Sequence, residues 1–117
     1  MAAPNIVNVG TITGKTAVQA VGTSATAIVT NSAASGKVFK VNALYVSNVD
    51  GTNNAEITID LFRSSVAYHI GKTIVVPADA TLDVMSKSLY LEEGDSLRLT
   101  ANEVSDIEAV CSYEEIS

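Results

Sequence analysis

The sequence predicts an all-β domain, an antiparallel β-sandwich or barrel of about eight short strands. Three observations carry that expectation. The segment Ala55-Glu56-Ile57-Thr58-Ile59-Asp60-Leu61 alternates strictly, with Ala, Ile, Ile and Leu on one face and Glu, Thr and Asp on the other. That is the period-two pattern of a half-buried antiparallel strand. Turn-forming groups recur at short intervals: Ser35-Gly36, Asp50-Gly51, Asn53-Asn54, Ser64-Ser65, Pro77-Ala78-Asp79 and Glu93-Gly94-Asp95. No window sustains apolar residues at the i, i+3, i+4, i+7 spacing of a helix, and the Thr, Ser, Val and Asn content disfavours one.

Taken in chain order, residues 1–15 are rich in Asn, Thr, Val and Gly and imply no local partner strand. They read as an extended N-terminal arm able to bind a neighbouring subunit, which leaves residues 16–117 as the β domain. Strands are then expected over residues 16–21, 25–31 and 37–49, where β-branched and aromatic residues concentrate. The alternating segment at 55–61 follows, then 66–76, 81–86 and a short piece at 89–91. Two further alternating runs close the chain, Ser96-Leu97-Arg98-Leu99-Thr100-Ala101 and Ile107-Glu108-Ala109-Val110-Cys111-Ser112-Tyr113. The second places Cys111 on the inward face beside Ile107, Ala109 and Tyr113. A sheet built this way leaves edge strands with unpaired N–H and C=O groups, which are either used to pair with another chain or blunted by charge. Lys37, Lys40, Glu114 and Glu115 are candidates for the blunting.

Composition narrows the function classes. A chain of 117 residues fits one domain, which buries roughly two-thirds of its unfolded surface. Seven Lys and Arg against thirteen Asp and Glu give a formal charge of −6, which repels phosphates and anionic lipid, so neither nucleic acid nor membrane is an expected partner. The start, Met1-Ala2-Ala3-Pro4-Asn5, lacks the pattern of a secretory signal, so synthesis in a cytoplasm without that export route is expected. Cys111 is the only cysteine, which excludes an internal disulfide and any multi-cysteine zinc site.

Candidate chemistry is sparse. Gly10-Thr11-Ile12-Thr13-Gly14-Lys15-Thr16 is one residue short of a phosphate-binding loop and precedes a strand where that motif needs a helix. His69, the single histidine, has no neighbour in sequence to orient it as a base. Asp50-Gly51-Thr52-Asn53-Asn54 with Glu56 gathers oxygen ligands, but not in the order of a calcium loop. Glu92, Glu93 and Asp95 around Gly94 could suggest paired carboxylates, yet turn chemistry accounts for them and leaves the carboxylates facing water. Tyr45, Tyr68, Tyr90, Tyr113, Phe39 and Phe62 are the whole aromatic set and read as core or rim residues. No catalytic, cofactor-binding or metal-binding residue is assigned, and no cofactor is expected.

Three stretches carry a resemblance. The first is Ala25-Thr26-Ala27-Ile28-Val29-Thr30-Asn31, leading through Gly36-Lys37-Val38-Phe39-Lys40-Val41-Asn42 to Leu44-Tyr45-Val46-Ser47-Asn48. The others are Val76-Pro77-Ala78-Asp79-Ala80-Thr81-Leu82 and Leu89-Tyr90-Leu91-Glu92-Glu93-Gly94-Asp95-Ser96-Leu97. In this order they resemble small virion structural proteins of tailed phages, especially the marine myoviruses of cyanobacteria, over residues 16–117. The resemblance implies a jelly-roll-like sandwich present in many copies on the particle, as a head decoration, neck component or tail attachment. It implies partners in its own copies and in other virion proteins such as major capsid, neck or tail proteins. It transfers no site residue. The expectation is therefore a non-enzymatic virion protein, a homo-oligomer docking through strand edges and the arm. The rival is a tail or surface-exposed module whose loops at residues 50–54 and 64–65 recognise host glycans.

Overall fold

The computed structural model describes residues 7–117, and among these residues there are nine strands and no helix. These are β1 (Ile12–Val21), β2 (Thr26–Thr30), β3 (Val38–Asn48), β4 (Ala55–Arg63), β5 (Val66–Val76), β6 (Thr81–Asp83), β7 (Leu89–Leu91), β8 (Ser96–Ala101) and β9 (Ile107–Ile116). All pairings are antiparallel. One sheet has the order β1-β9-β3-β6, with β7 also on β3, and the other has the order β2-β8-β4-β5.

β6 and β7 lie along the same edge of β3, opposite residues 45–47 and 39–41. They act as two halves of one broken strand. With those halves counted together the described residues form eight strands, and the chain changes sheet at every connection between them except the β4–β5 hairpin. This winding, with four strands to a sheet, is that of a jelly roll.

The alternation read in the sequence is what builds the core. Leu44, Ile57, Ile59, Leu91, Leu97, Leu99 and Ile107 are fully buried between the sheets, as facing residues of a sandwich must be. Cys111 sits among them with no exposed surface, and burial pushes its thiol up to about 11. It fills core volume beside Leu44, its direct neighbour on β3.

Two expectations need correction. Residues 12–15 are not part of an arm, because β1 starts at Ile12 and pairs without interruption as far as Ile12↔Ile116. The partner strand is about a hundred residues away in sequence, so nothing local announced it. The part of the expected arm over residues 1–6 lies outside the described residues. Second, Lys37, Lys40, Glu114 and Glu115 do not blunt an edge, because β3 and β9 are interior strands. Glu115 instead accepts from Lys15 at 3.0 Å and Lys37 at 3.1 Å.

Candidate functional site

The connections gather at two ends of the sandwich, and each end is closed by a buried asparagine. At one end Asn48, 2% exposed, donates from Nδ2 to the carbonyls of Asn53 (2.9 Å) and Val76 (3.0 Å), and its Oδ1 accepts from the Asp50 amide (3.0 Å). At the other end Asn31, fully buried, donates to the carbonyls of Lys37 (2.9 Å) and Leu91 (3.0 Å), and its Oδ1 accepts from the Ser35 hydroxyl. Each side chain satisfies backbone groups that the broken ladder leaves open, which is the condition for burying them.

Beside Asn31 lies a cluster of one cation and two carboxylates. Arg63 grips Asp95 through two bonds, Nε to Oδ1 at 2.7 Å and Nη2 to Oδ2 at 2.6 Å, and reaches Glu92 at 2.8 Å. The Glu92 amide donates to the same Asp95 carboxylate at 2.8 Å. Burial pushes the Asp95 carboxyl up, but the Arg63 and Glu92 hydrogen bonds and the Arg63 charge outweigh it and hold it below its ordinary value. The expectation that these carboxylates all face water fails at Asp95, which is 1% exposed. Gly94 does supply the positive φ, at 90°, but the turn folds Asp95 inward because Arg63 on β4 waits there to neutralise it.

The remaining candidates stay apart. His69 is exposed and lies on β5 directly opposite Asp60 of β4, whose carboxylate is taken by Arg98 at 2.8 and 3.3 Å. Arg98 also lies 3.9 Å from the centre of the Phe62 ring, a cation–π contact. In the Asp50 loop the carboxylate oxygens accept from the Thr52 amide (2.9 Å) and Asn53 Nδ2 (3.3 Å), so they are turned onto the loop itself. Among the described residues no group of three or more His, Cys, Asp or Glu is placed to hold a metal ion. Gly10 and Thr11 donate to the Ser117 carbonyl at 2.7 and 2.9 Å, so this stretch leads into a strand and forms no phosphate cradle.

The two loops assigned to glycan recognition are not brought together. Residues 50–54 precede β4 and Ser64-Ser65 follow it, so the nine residues of β4 hold them at opposite ends, roughly 30 Å apart. Of the tyrosines, Tyr113 packs on Phe39 with ring centres 5.7 Å apart, whereas Tyr45, Tyr68 and Tyr90 are 40–57% exposed.

What the fold presents outward is an edge. Three of the four sheet edges are short or irregular: β2 has five residues and a register shift, β6 and β7 have three each, and β5 is shifted twice against β4. Such interruptions are how edges are kept from pairing. β1 is ten residues long, contains no proline, and keeps one register against β9 throughout. Thr11 and Ser117 exchange both their backbone bonds at 2.9 Å, so the ladder alternates from there. Thr13, Lys15, Ala17, Gln19 and Val21 turn their N–H and C=O groups to β9, while Ile12, Gly14, Thr16, Val18 and Ala20 turn theirs outward. No charged side chain is in that outward set. Beside it Val18, Val110 and Tyr45, which face one another across three strands, are 75%, 40% and 44% exposed and form an apolar row reaching the edge. Sequence reasoning missed this edge because it took residues 12–15 for arm.

Neither a family model nor a curated protein matches the chain. Among solved structures it is similar to a chain from the work describing Bacillus endospore appendages as a novel family of disulfide-linked pili. The TM-score is 0.54 at 13% identity, over 90% of this chain and 85% of that one. The likeness is one of fold.

Proposed function

We propose that the chain is a non-enzymatic structural subunit of a tailed-phage virion, a capsid decoration or head- or neck-associated protein that docks through its strand edges and the residues before β1. The observation that carries this reading is the regular, uncharged edge of β1, which no other strand among the described residues pairs, a form that folded proteins otherwise suppress because it recruits other chains. The phage setting comes from the sequence resemblance. The fold neighbour in a pilus adds a case of this sandwich serving an assembled appendage, although fold alone does not assign function. The ionic groups support the reading in their own way, since Arg63, Asp95, Arg98 and Asp60 are spent on one another.

Add-back to particles tests it. Particles assembled without the chain should take up purified protein to a fixed stoichiometry, and protein lacking residues 1–9 should keep its β spectrum but bind more weakly. The deletion stops before Gly10 because Gly10 and Thr11 are tied to Ser117. Failure of the full-length protein to be retained would contradict the reading. Broad glycan binding by protein that particles do not retain would favour the rival, a host-recognition module.

A further inference from the structure

We infer that two copies of this chain associate through β1, edge to edge and antiparallel about a two-fold axis at Thr16, joining their β1-β9-β3 sheets into one continuous sheet. The inference rests on the docking through strand edges proposed above and names the partner as a second copy.

The outward-facing residues of β1 are Ile12, Gly14, Thr16, Val18 and Ala20. They are symmetric about Thr16, so in this register Ile12 meets Ala20 of the second copy, Gly14 meets Val18, and Thr16 meets its own counterpart. Every outward N–H and C=O of the set finds a partner, which is what an isologous interface requires. The side chains agree with the backbone. Val18, 75% exposed, falls opposite a glycine, and a Cβ placed on Gly14 meets nothing within 4 Å, so the valine has room to lie over it. Lys15 falls opposite Ala17 and is already neutralised by Glu115 at 3.0 Å, so the axis brings no like charges face to face. Thr13 falls opposite Gln19. Gln19 donates from Nε2 to the Ala27 carbonyl at 3.0 Å, and its Oε1 is a buried acceptor with no donor among the described residues. Thr13 and Gln19 are both uncharged, so this pair too sets no like charges against each other. The other edges fit a second copy poorly, since shifts and short lengths break their ladders.

The test uses the full-length chain, its mass in solution and two substitutions at the axis. Wild-type protein should sediment at twice the mass of the 12.2 kDa chain. Thr16→Lys, which sets two lysines against each other at the axis and removes no β1–β9 bond, should raise the dissociation constant at least tenfold while keeping the β spectrum of the wild type, its melting temperature falling only to that of wild-type protein diluted to monomer. Oxidised Thr16→Cys should cross-link to a covalent dimer, because paired strand residues lie within disulfide reach. Ile12→Cys should not, its two copies being eight residues apart along the joined strands, about 27 Å. Buried Cys111 does not compete. A monomer at the highest soluble concentration, an assembly larger than a dimer, or a dimer indifferent to Thr16→Lys would each overturn the inference. A monomer whose outward β1 amides resist hydrogen exchange would also overturn it and put the chain's own first residues on the edge. The two readings fail separately: a β1 dimer absent from particles sinks only the virion role, and a particle-bound monomer sinks only the pairing.

Discussion

Asp95 shows how a residue placed by turn chemistry becomes a structural charge. Its carboxylate accepts from Arg63 twice and from the Glu92 amide, its backbone carbonyl accepts from the Asn31 amide at 2.9 Å, and Gly94 donates to the Asn31 carbonyl at 2.7 Å. One residue thus ties β4, the β7–β8 turn and the end of β2. Asp95→Asn should cost about 2 kcal/mol at neutral pH, less than for a wholly buried pair because Arg63 is partly exposed and screened. Since the folded carboxyl lies below its unfolded value, its contribution is full above the unfolded pKa, about 3.9. It is lost as the pH falls through the folded one. Urea melts at pH 7 and pH 3 should show the gap between wild type and variant narrowing on acidification, and a constant gap would contradict this assignment. Glu115 follows the same sign, since burial raises its carboxyl and the hydrogen bonds from Lys15 and Lys37 more than reverse that. The sequence could show that Gly94-Asp95 makes a turn. It could not show which cation meets the aspartate, because Arg63 is 32 residues away.

At the scale of elements, strands with one wet and one dry face were legible where the alternation is strict. β4, β8 and β9 follow their alternation, with Ile57, Ile59, Leu97, Leu99, Ala109 and Cys111 inward. β1 was legible only from Thr16, since Gly14 and Lys15 look like loop and the strand's exposure leaves little apolar signal. The break between β6 and β7 was half visible, as two separate short runs, but that both lie on β3 follows from pairing alone. The β4–β5 hairpin was legible as Ser64-Ser65, and its conformation was not. Both serines hold positive φ, 52° and 61°, the type I′ geometry that Asn-Gly adopts with far less strain. Ser64→Asn with Ser65→Gly should raise stability by about 1 kcal/mol, read as a higher melting temperature. An unchanged or lower melting temperature would mean the serine hydroxyls make up for the backbone strain.

For the whole molecule, the jelly roll explains why the candidate chemistry stayed scattered. Its winding sends successive connections to alternating ends, so loops that adjoin one strand in sequence, such as those at residues 50–54 and 64–65, finish a strand length apart. The same winding buries the last strand, β9, between the first and third, and leaves β1 on the rim. The acidic groups with lowered pKa among the described residues are held by internal donors, and the surface offers instead an apolar row ending at an open ladder. The proposed virion role sets that surface beside the sequence resemblance and reads it as a place of assembly. The most direct measurement is a density difference map between intact particles and particles lacking this chain. Extra density is expected at symmetry-related positions on the head or neck, with β1 edges in contact with neighbouring subunits. Particles with no difference density, and no trace of the chain in their protein content, would contradict it.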